Sequence, residues 1–309
     1  MRTAIRLAPV LLAVAAAALP AAVHAHRGWM LPSATVLSGH EPWVTVDAAS
    51  STDIFYPDHN AMQVDDVVVI GPDGTTSKVE NAAKGRFRSV FDVKLVQKGT
   101  HKIALVTDTL FASYKLGAET KRLRGTAATL AKELPAGAED VRVTQFERRI
   151  EVFVTSGKPT TKVLEPTGRG LELVPLTHPN DLVAGEAAKF RFLLDGKPAA
   201  GINVQVIPHG IRYRDKLDDM RLVTDAGGEV SIKWAAPGMY WLNASPAGQR
   251  QDDDDAPPGA EKGMGKAQGK GPEKSAGKGA EKGRSGPAGT VDKPARRTSY
   301  TTTLEVMSQ

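Results

Sequence analysis

Short runs rich in Val, Ile, Phe and Thr, each bounded by Gly, Pro, Asp or Asn, recur through most of this chain, and that pattern limits its fold more than any other feature. In the first half the runs lie at 35–37, 43–47, 66–70, 86–95, 100–107 and 141–155, with turn sequences such as Gly71-Pro72-Asp73-Gly74 and Gln97-Lys98-Gly99 between them. Strands this short, with turns this frequent, pair in antiparallel fashion and bury one face against a second sheet. A second block begins at residue 171, with runs at 171–175, 188–194, 203–208, 220–224, 230–234, 240–244 and 299–306. Its turns are Leu194-Asp195-Gly196-Lys197-Pro198, Thr224-Asp225-Ala226-Gly227-Gly228 and Ala236-Pro237-Gly238. The pattern predicts an all-β protein of two antiparallel β-sandwich domains, 26–165 and 170–246 plus 298–309. One helix candidate, 118–134, stops at Leu134-Pro135 and is expected as a short helix within a long connection. Trp29, Trp43, Trp234 and Trp241 fall within or beside strands and are expected to pack in the core.

Residues 247–297 are different material, dominated by Gly, Lys, Glu, Pro and Ala, with lysines at every fourth position from Lys262 to Lys282. The lysine period does not make a helix, because each interleaved Gly costs about 1 kcal/mol relative to Ala and almost nothing apolar is available to bury. The stretch is expected to be a disordered insertion before the last strand, tolerable because loop-closure entropy grows only slowly with length. At the other end, Arg2 and Arg6 precede an apolar run at 7–19, a helix-breaking Pro20 and Val23-His24-Ala25. These features predict a secretory signal peptide over 1–25, cut after Ala25, and a periplasmic protein. A cut after Ala21 would place His24 third in the mature chain, but Leu19 at the minus-three position disfavours it. No run is long and apolar enough for a membrane helix, so an integral membrane protein is not expected.

With no cysteine in 309 residues, a disulfide framework, a thiolate-bound metal and a thiol nucleophile are all excluded. The formal charge of +5 says little about partners, because residues 247–297 hold 11 Lys/Arg against 8 Asp/Glu and Arg2 and Arg6 supply the rest of the excess. The folded domains therefore give no reason to expect nucleic acid. Nucleophile elbows, phosphate loops, His-Glu-x-x-His and dinucleotide glycine motifs are all missing from the sequence, and an enzyme is not expected.

The informative segment is His26-Arg27-Gly28-Trp29-Met30-Leu31-Pro32, the start of the mature chain if the signal is cut after Ala25. An N-terminal histidine offers its α-amine, with a pKa near 8, and its imidazole Nδ1 to the same ion, closing a chelate ring at little proton cost. Such nitrogen ligands suit nickel, copper or cobalt. Two histidines are candidates to complete the site: His40 in Ser38-Gly39-His40-Glu41-Pro42 and His59 in Tyr56-Pro57-Asp58-His59-Asn60. The bland alternative is that the terminus frays and these are ordinary surface histidines. His178 and His209 sit at strand ends, where capping or solvent exposure is the simpler expectation, and Asp215, Asp218 and Asp219 lack the glycine of a calcium loop.

Taken together, the chain resembles the family of domain of unknown function 4198. The residues that carry the resemblance are Ala25-His26-Arg27-Gly28-Trp29-Met30-Leu31-Pro32-Ser33, Phe55-Tyr56-Pro57, Leu171-Glu172-Leu173-Val174-Pro175, Phe192-Leu193-Leu194-Asp195-Gly196-Lys197-Pro198, Thr224-Asp225-Ala226-Gly227-Gly228 and Gly238-Met239-Tyr240-Trp241-Leu242. The resemblance covers the mature chain except the insertion, which departs from the family pattern. It implies a second sandwich similar to transthyretin-like, Ig-like modules. It also implies a periplasmic component of a nickel or cobalt uptake system of the energy-coupling type, with an inner-membrane metal transporter as partner and His26 at the family's mature histidine. The expected cargo is nickel or cobalt, with copper as a further candidate. Two rivals remain: a non-catalytic module that binds a protein or polysaccharide, and a histidine-brace copper enzyme, for which no further ligands stand at diagnostic spacing.

Overall fold

A computed structural model describes residues 26–249 and 289–309. The expected signal peptide and most of the expected insertion lie outside these residues. The chain runs through β1 (Arg27–Pro32), β2 (Val36–Leu37), β3 (Trp43–Ser51), β4 (Asn60–Ala61), β5 (Val68–Ile70), β6 (Thr76–Lys78), β7 (Glu80–Lys84) and β8 (Ser89–Lys94). Next come β9 (Gly99–Leu116), β10 (Glu119–Gly125), helix α1 (Ala127–Glu133) and β11 (Glu139–Ser156). The second half comprises β12 (Leu171–Pro175), β13 (Ala187–Leu194), β14 (Lys197–Pro198), β15 (Ile202–Pro208), β16 (Met220–Val223), β17 (Glu229–Lys233), β18 (Gly238–Pro246) and β19 (Ala295–Val306).

These strands form three sheets arranged as two β-sandwiches. A front sheet of order β1-β3-β8-β7, with β4 on β3, faces β5, β9 and β11 across a core of Val44, Val46, Phe91, Ile103, Leu105, Ile150 and Val152. A second small sheet, β12-β13-β14 with β17 on β13, faces β15, β18 and β19 across Phe190, Phe192, Ile232, Val206, Leu242 and Tyr300. The alternation is what builds both cores, since residues two apart on a strand share a face. The two sandwiches share their rear sheet. β19 pairs in parallel with β11, Thr144 opposite Ala295 through Val152 opposite Thr303, and so joins the rear strands of both halves into one ten-stranded sheet.

Several expectations need correction. The helix expected over 118–134 is confined to Ala127–Glu133, because Gly117, at φ 62°, closes a two-residue turn and returns β10 along β9 with Glu119 opposite Leu116. Thr126 then caps the helix in a reciprocal box with Thr129. Residues 295–297, assigned to the insertion, are strand, and Trp43, expected in the core, is 46% exposed. Trp29, Trp234 and Trp241 are buried as expected.

The seam between the sandwiches is ionic. Glu151, 2% exposed, accepts hydrogen bonds from Arg149 Nη1 at 3.1 Å and the Tyr300 hydroxyl at 3.0 Å, with Lys102 Nζ 3.8 Å away. Arg149 also lies 3.6 Å from Glu172, whose carboxylate accepts the backbone N–H groups of Thr167, Gly168 and Arg169. Burial, and then the Glu151 charge, push the Tyr300 phenol well above its ordinary pKa.

Two histidines sit at the same level of the fold. His178 Nδ1 accepts the Asn180 N–H at 3.1 Å, which leaves its proton on Nε2 for the Thr160 carbonyl at 3.2 Å. His101 is 3% exposed and its Nδ1 has no hydrogen-bond partner. Burial lowers the pKa of both. Above the unfolded value near 6.5 both states are neutral at these rings; below it the unfolded chain takes up protons that the native state refuses. Stability should therefore fall as pH drops below about 6.5, by up to about 1.4 kcal/mol per pH unit for each ring. Urea midpoints at pH 7.5 and 5.5 check this, and a flat profile would contradict it.

Candidate functional site

The site forms where the start of β1 meets the loop joining β3 to β4. β3 is the shared partner: Arg27 stands opposite Ser51, and Asn60 opposite Ser50, so the residues before β1 and β4 arrive at the same end of β3. His26 and His59 occupy those places, and their rings stack face to face with centroids 3.3 Å apart and 5° between planes. Thr52 clamps the arrangement from both sides. Its N–H donates to Asp58 Oδ1 at 2.9 Å, and its carbonyl accepts from Arg27 Nη1 at 3.0 Å.

The loop is anchored from within by Phe55, which adopts φ 62°, a left-handed conformation that costs a non-glycine residue about 1–2 kcal/mol. Packing offsets this. The Phe55 ring is buried edge-on to Trp29 at 5.6 Å and lies 5.7 Å from His209. Trp29 Nε1 donates to Ser51 Oγ at 2.7 Å, and Ser51 Oγ donates to the Asp53 carbonyl at 2.6 Å, fixing the loop's first turn.

The second half closes the site from the other side. Trp241 of β18 is buried with Trp29, Ala49, Ile54 and Ile207, and its Nε1 donates to the Gly28 carbonyl at 3.0 Å, holding β1 in place. A single 3-10 turn (Ile211–Tyr213) follows Gly210, at φ 85°, and sets the Arg212 guanidinium over the Tyr56 ring at 4.0 Å. Arg214 shapes this loop by donating to the carbonyls of Pro208 at 2.8 Å and His209 at 2.6 Å. His209 and Arg212 were not expected here; they lie about 150 residues from His59, and only the Pro208-His209-Gly210 turn hinted at a special loop.

Of the three expected ligands the structure brings together His26 and His59 and leaves His40 apart. His40 lies in the turn before β3, whereas the other two lie beyond its far end, and nine residues of strand separate the ends by roughly 30 Å. Around His40 the chain is occupied with local contacts: Gly39 takes φ 97° and its carbonyl accepts from Lys98, while Lys94 Nζ sits 2.6 Å from Glu41 Oε2 and holds that carboxyl below its ordinary pKa. Among the described residues, no three His, Asp or Glu side chains are grouped to hold a metal ion. Stacked parallel rings direct their nitrogen lone pairs side by side, so one ion could engage both only after a ring turns about its Cβ–Cγ bond. His59 is exposed, so its ring has room to turn.

Of the two expectations for His178, capping or solvent exposure, the structure shows the first: its Nδ1 accepts the Asn180 N–H two residues on, and its Nε2 meets the Thr160 carbonyl. Among the described residues no helix is long and apolar enough to cross a membrane.

Comparison with known proteins finds no curated relative. Among solved structures the chain is similar to a DUF4785 family protein from Legionella pneumophila, with 8% identity, coverage of 70% of this chain and 50% of that one, and a TM-score of 0.22. It is also similar to the D0-D1 domain of intimin, with 13% identity, 71% and 91% coverage and a TM-score of 0.19. A third likeness is to Escherichia coli alpha-2-macroglobulin activated by porcine elastase, with 11% identity, 72% and 30% coverage and a TM-score of 0.19. The chain thus spans about half the length of the first of these proteins and under a third of the third. Residues 23–248, which include His26, His59, Phe55 and Trp241, match a family described as Domain of unknown function (DUF4198), and the chain is a member of that family.

Proposed function

We propose that this protein is an exported, periplasmic carrier of a transition-metal ion, nickel or cobalt with copper as a further candidate, and that it passes the ion to an inner-membrane transporter. The observation that supports this most is the His26–His59 pair, whose two imidazoles meet at the chain end that export would expose. Once the signal is removed, the His26 α-amine and imidazole chelate the ion and His59 adds a third nitrogen. Nitrogen ligands of this kind favour nickel, copper and cobalt over magnesium or calcium. A site with few ligands at the surface also exchanges its ion readily, which suits a cargo that must be handed on.

The protein's own contribution is positioning. Thr52, Phe55 and Trp241 hold the two chain segments together, so little ordering remains to be done when the ion arrives. Nickel titration by calorimetry of protein beginning at His26, beside the same protein acetylated at its α-amine, tests the reading. Blocking the amine should weaken binding by about tenfold or more, equivalent to about 1.4 kcal/mol. Equal affinities would remove the N-terminal chelate.

A further inference from the structure

The inward side of the rear sheet changes character partway along its two longest strands. Up to Leu105 on β9 and from Ile150 onward on β11, this side is the apolar core of the first sandwich. The same side then continues as Thr107, Thr109, Phe111 and Ser113 on β9 and as Arg148, Phe146, Thr144 and Arg142 on β11. Residues directly opposite one another share a side, so the ladders fix a lattice. Ser113 lies between Arg122 and Arg142, Phe111 between Arg124 and Thr144, Phe146 between Thr109 and Arg297, and Arg148 between Thr107 and Ser299.

Five arginines and two phenylalanines thus occupy one face of four adjacent strands, and those four rows contain no carboxylate. The rings hold the cations in order. Arg124 lies 5.5 Å over Phe111, Phe111 stacks edge-on with Phe146 at 5.2 Å, and Arg297 lies 5.8 Å over Phe146. Arg122, Arg124 and Arg142 are exposed. On the opposite side of the same strands Leu110, Ala112 and Val143 are buried in a cluster with Leu130 of α1.

We propose that this face docks an extended, acidic peptide segment of a partner protein. Two features of the face fit a peptide strand rather than another polyanion. Among the described residues β10 pairs with β9 alone, so its other edge presents backbone groups that a peptide strand can pair with. Arg122 and Arg124 are two residues apart on β10, and an added strand repeats its side chains at the same spacing of about 6.6 Å. Carboxylates at every second peptide position therefore meet both guanidiniums, while Arg142, two strands further in, adds to the positive field of the face.

The probe is a fluorescein-labelled decapeptide of alternating Glu and Thr, titrated with the full chain and followed by anisotropy. Saturable binding is expected, weakening as salt is raised. Arg122→Glu/Arg124→Glu should weaken it about tenfold or more, with Arg142→Glu as an independent variant. A block peptide of the same composition, five Glu followed by five Thr, should bind less tightly. Absence of saturable binding, or an affinity untouched by either charge reversal, would overturn the proposal. So would a block peptide or dextran sulfate that binds as tightly as the alternating peptide.

Discussion

Glu151→Ala is expected to lower the unfolding free energy by about 3–5 kcal/mol, the cost of leaving buried charge uncompensated. The carboxylate is the one group that meets Arg149, Lys102 and Tyr300 together. Its removal strands the Lys102 ammonium, 8% exposed, beside the Phe153 ring, and leaves the Tyr300 hydroxyl without its acceptor. Arg149 fares better because Glu172 and the Arg169 carbonyl remain. Glu151→Gln keeps the shape and one acceptor for Tyr300, so it should cost less than the alanine variant. Urea denaturation of the two variants beside the parent checks the order, and near-equal midpoints for all three would contradict it. The loss falls at the parallel junction of β11 with β19, where the two sandwiches share a sheet.

Trp241→Ala is expected to cost a similar amount, about 3–5 kcal/mol, because a buried indole is deleted from a cluster drawn from both halves. Its consequence for the site is more specific. The indole N–H holds the Gly28 carbonyl, two residues from His26, and the indole body supports Trp29, against which Phe55 is set. Trp241→Phe separates the two contributions: packing is largely kept and one hydrogen bond is lost, for a cost of about 1 kcal/mol. Thermal unfolding should rank the parent above the phenylalanine variant and that above alanine. Nickel affinity should fall in the same order, since β1 loosens at the end that bears His26.

Legibility of the fold varied with how much of it was written in alternation. Leu171–Pro175 was bounded correctly because Leu171 and Leu173 alternate between clear turns, and both are buried. β9 was read short, as 100–107, because its outer half places Thr109 and Ser113 where an apolar pattern would be expected, whereas the run at 141–155 falls within two residues of the observed β11 at each end. β10, with Lys121, Arg122 and Arg124, resembles an exposed helix by composition, and only the turn at Gly117 reveals the hairpin. The parallel join of β11 to β19 connects residues about 150 apart and leaves no local trace in the sequence.

The candidate site was half legible. His26 and His59 could be picked out as candidates, but their contact depends on Phe55 in a left-handed conformation and on the Thr52 clamp, neither of which sequence spacing encodes. His40 carried the same chemical signal as His59. Only the length of β3 separates them, placing the two at opposite ends.

That contrast supplies the most direct test of the account. Nickel binding should be measured by calorimetry on protein that begins at His26, with His59→Ala and His40→Ala prepared in the same way. The expected result is a loss of about tenfold or more in affinity for His59→Ala, with His40→Ala indistinguishable from the parent. Equal binding by the His59 variant and the parent, or a loss confined to the His40 variant, would contradict a metal site built by bringing His26 and His59 together.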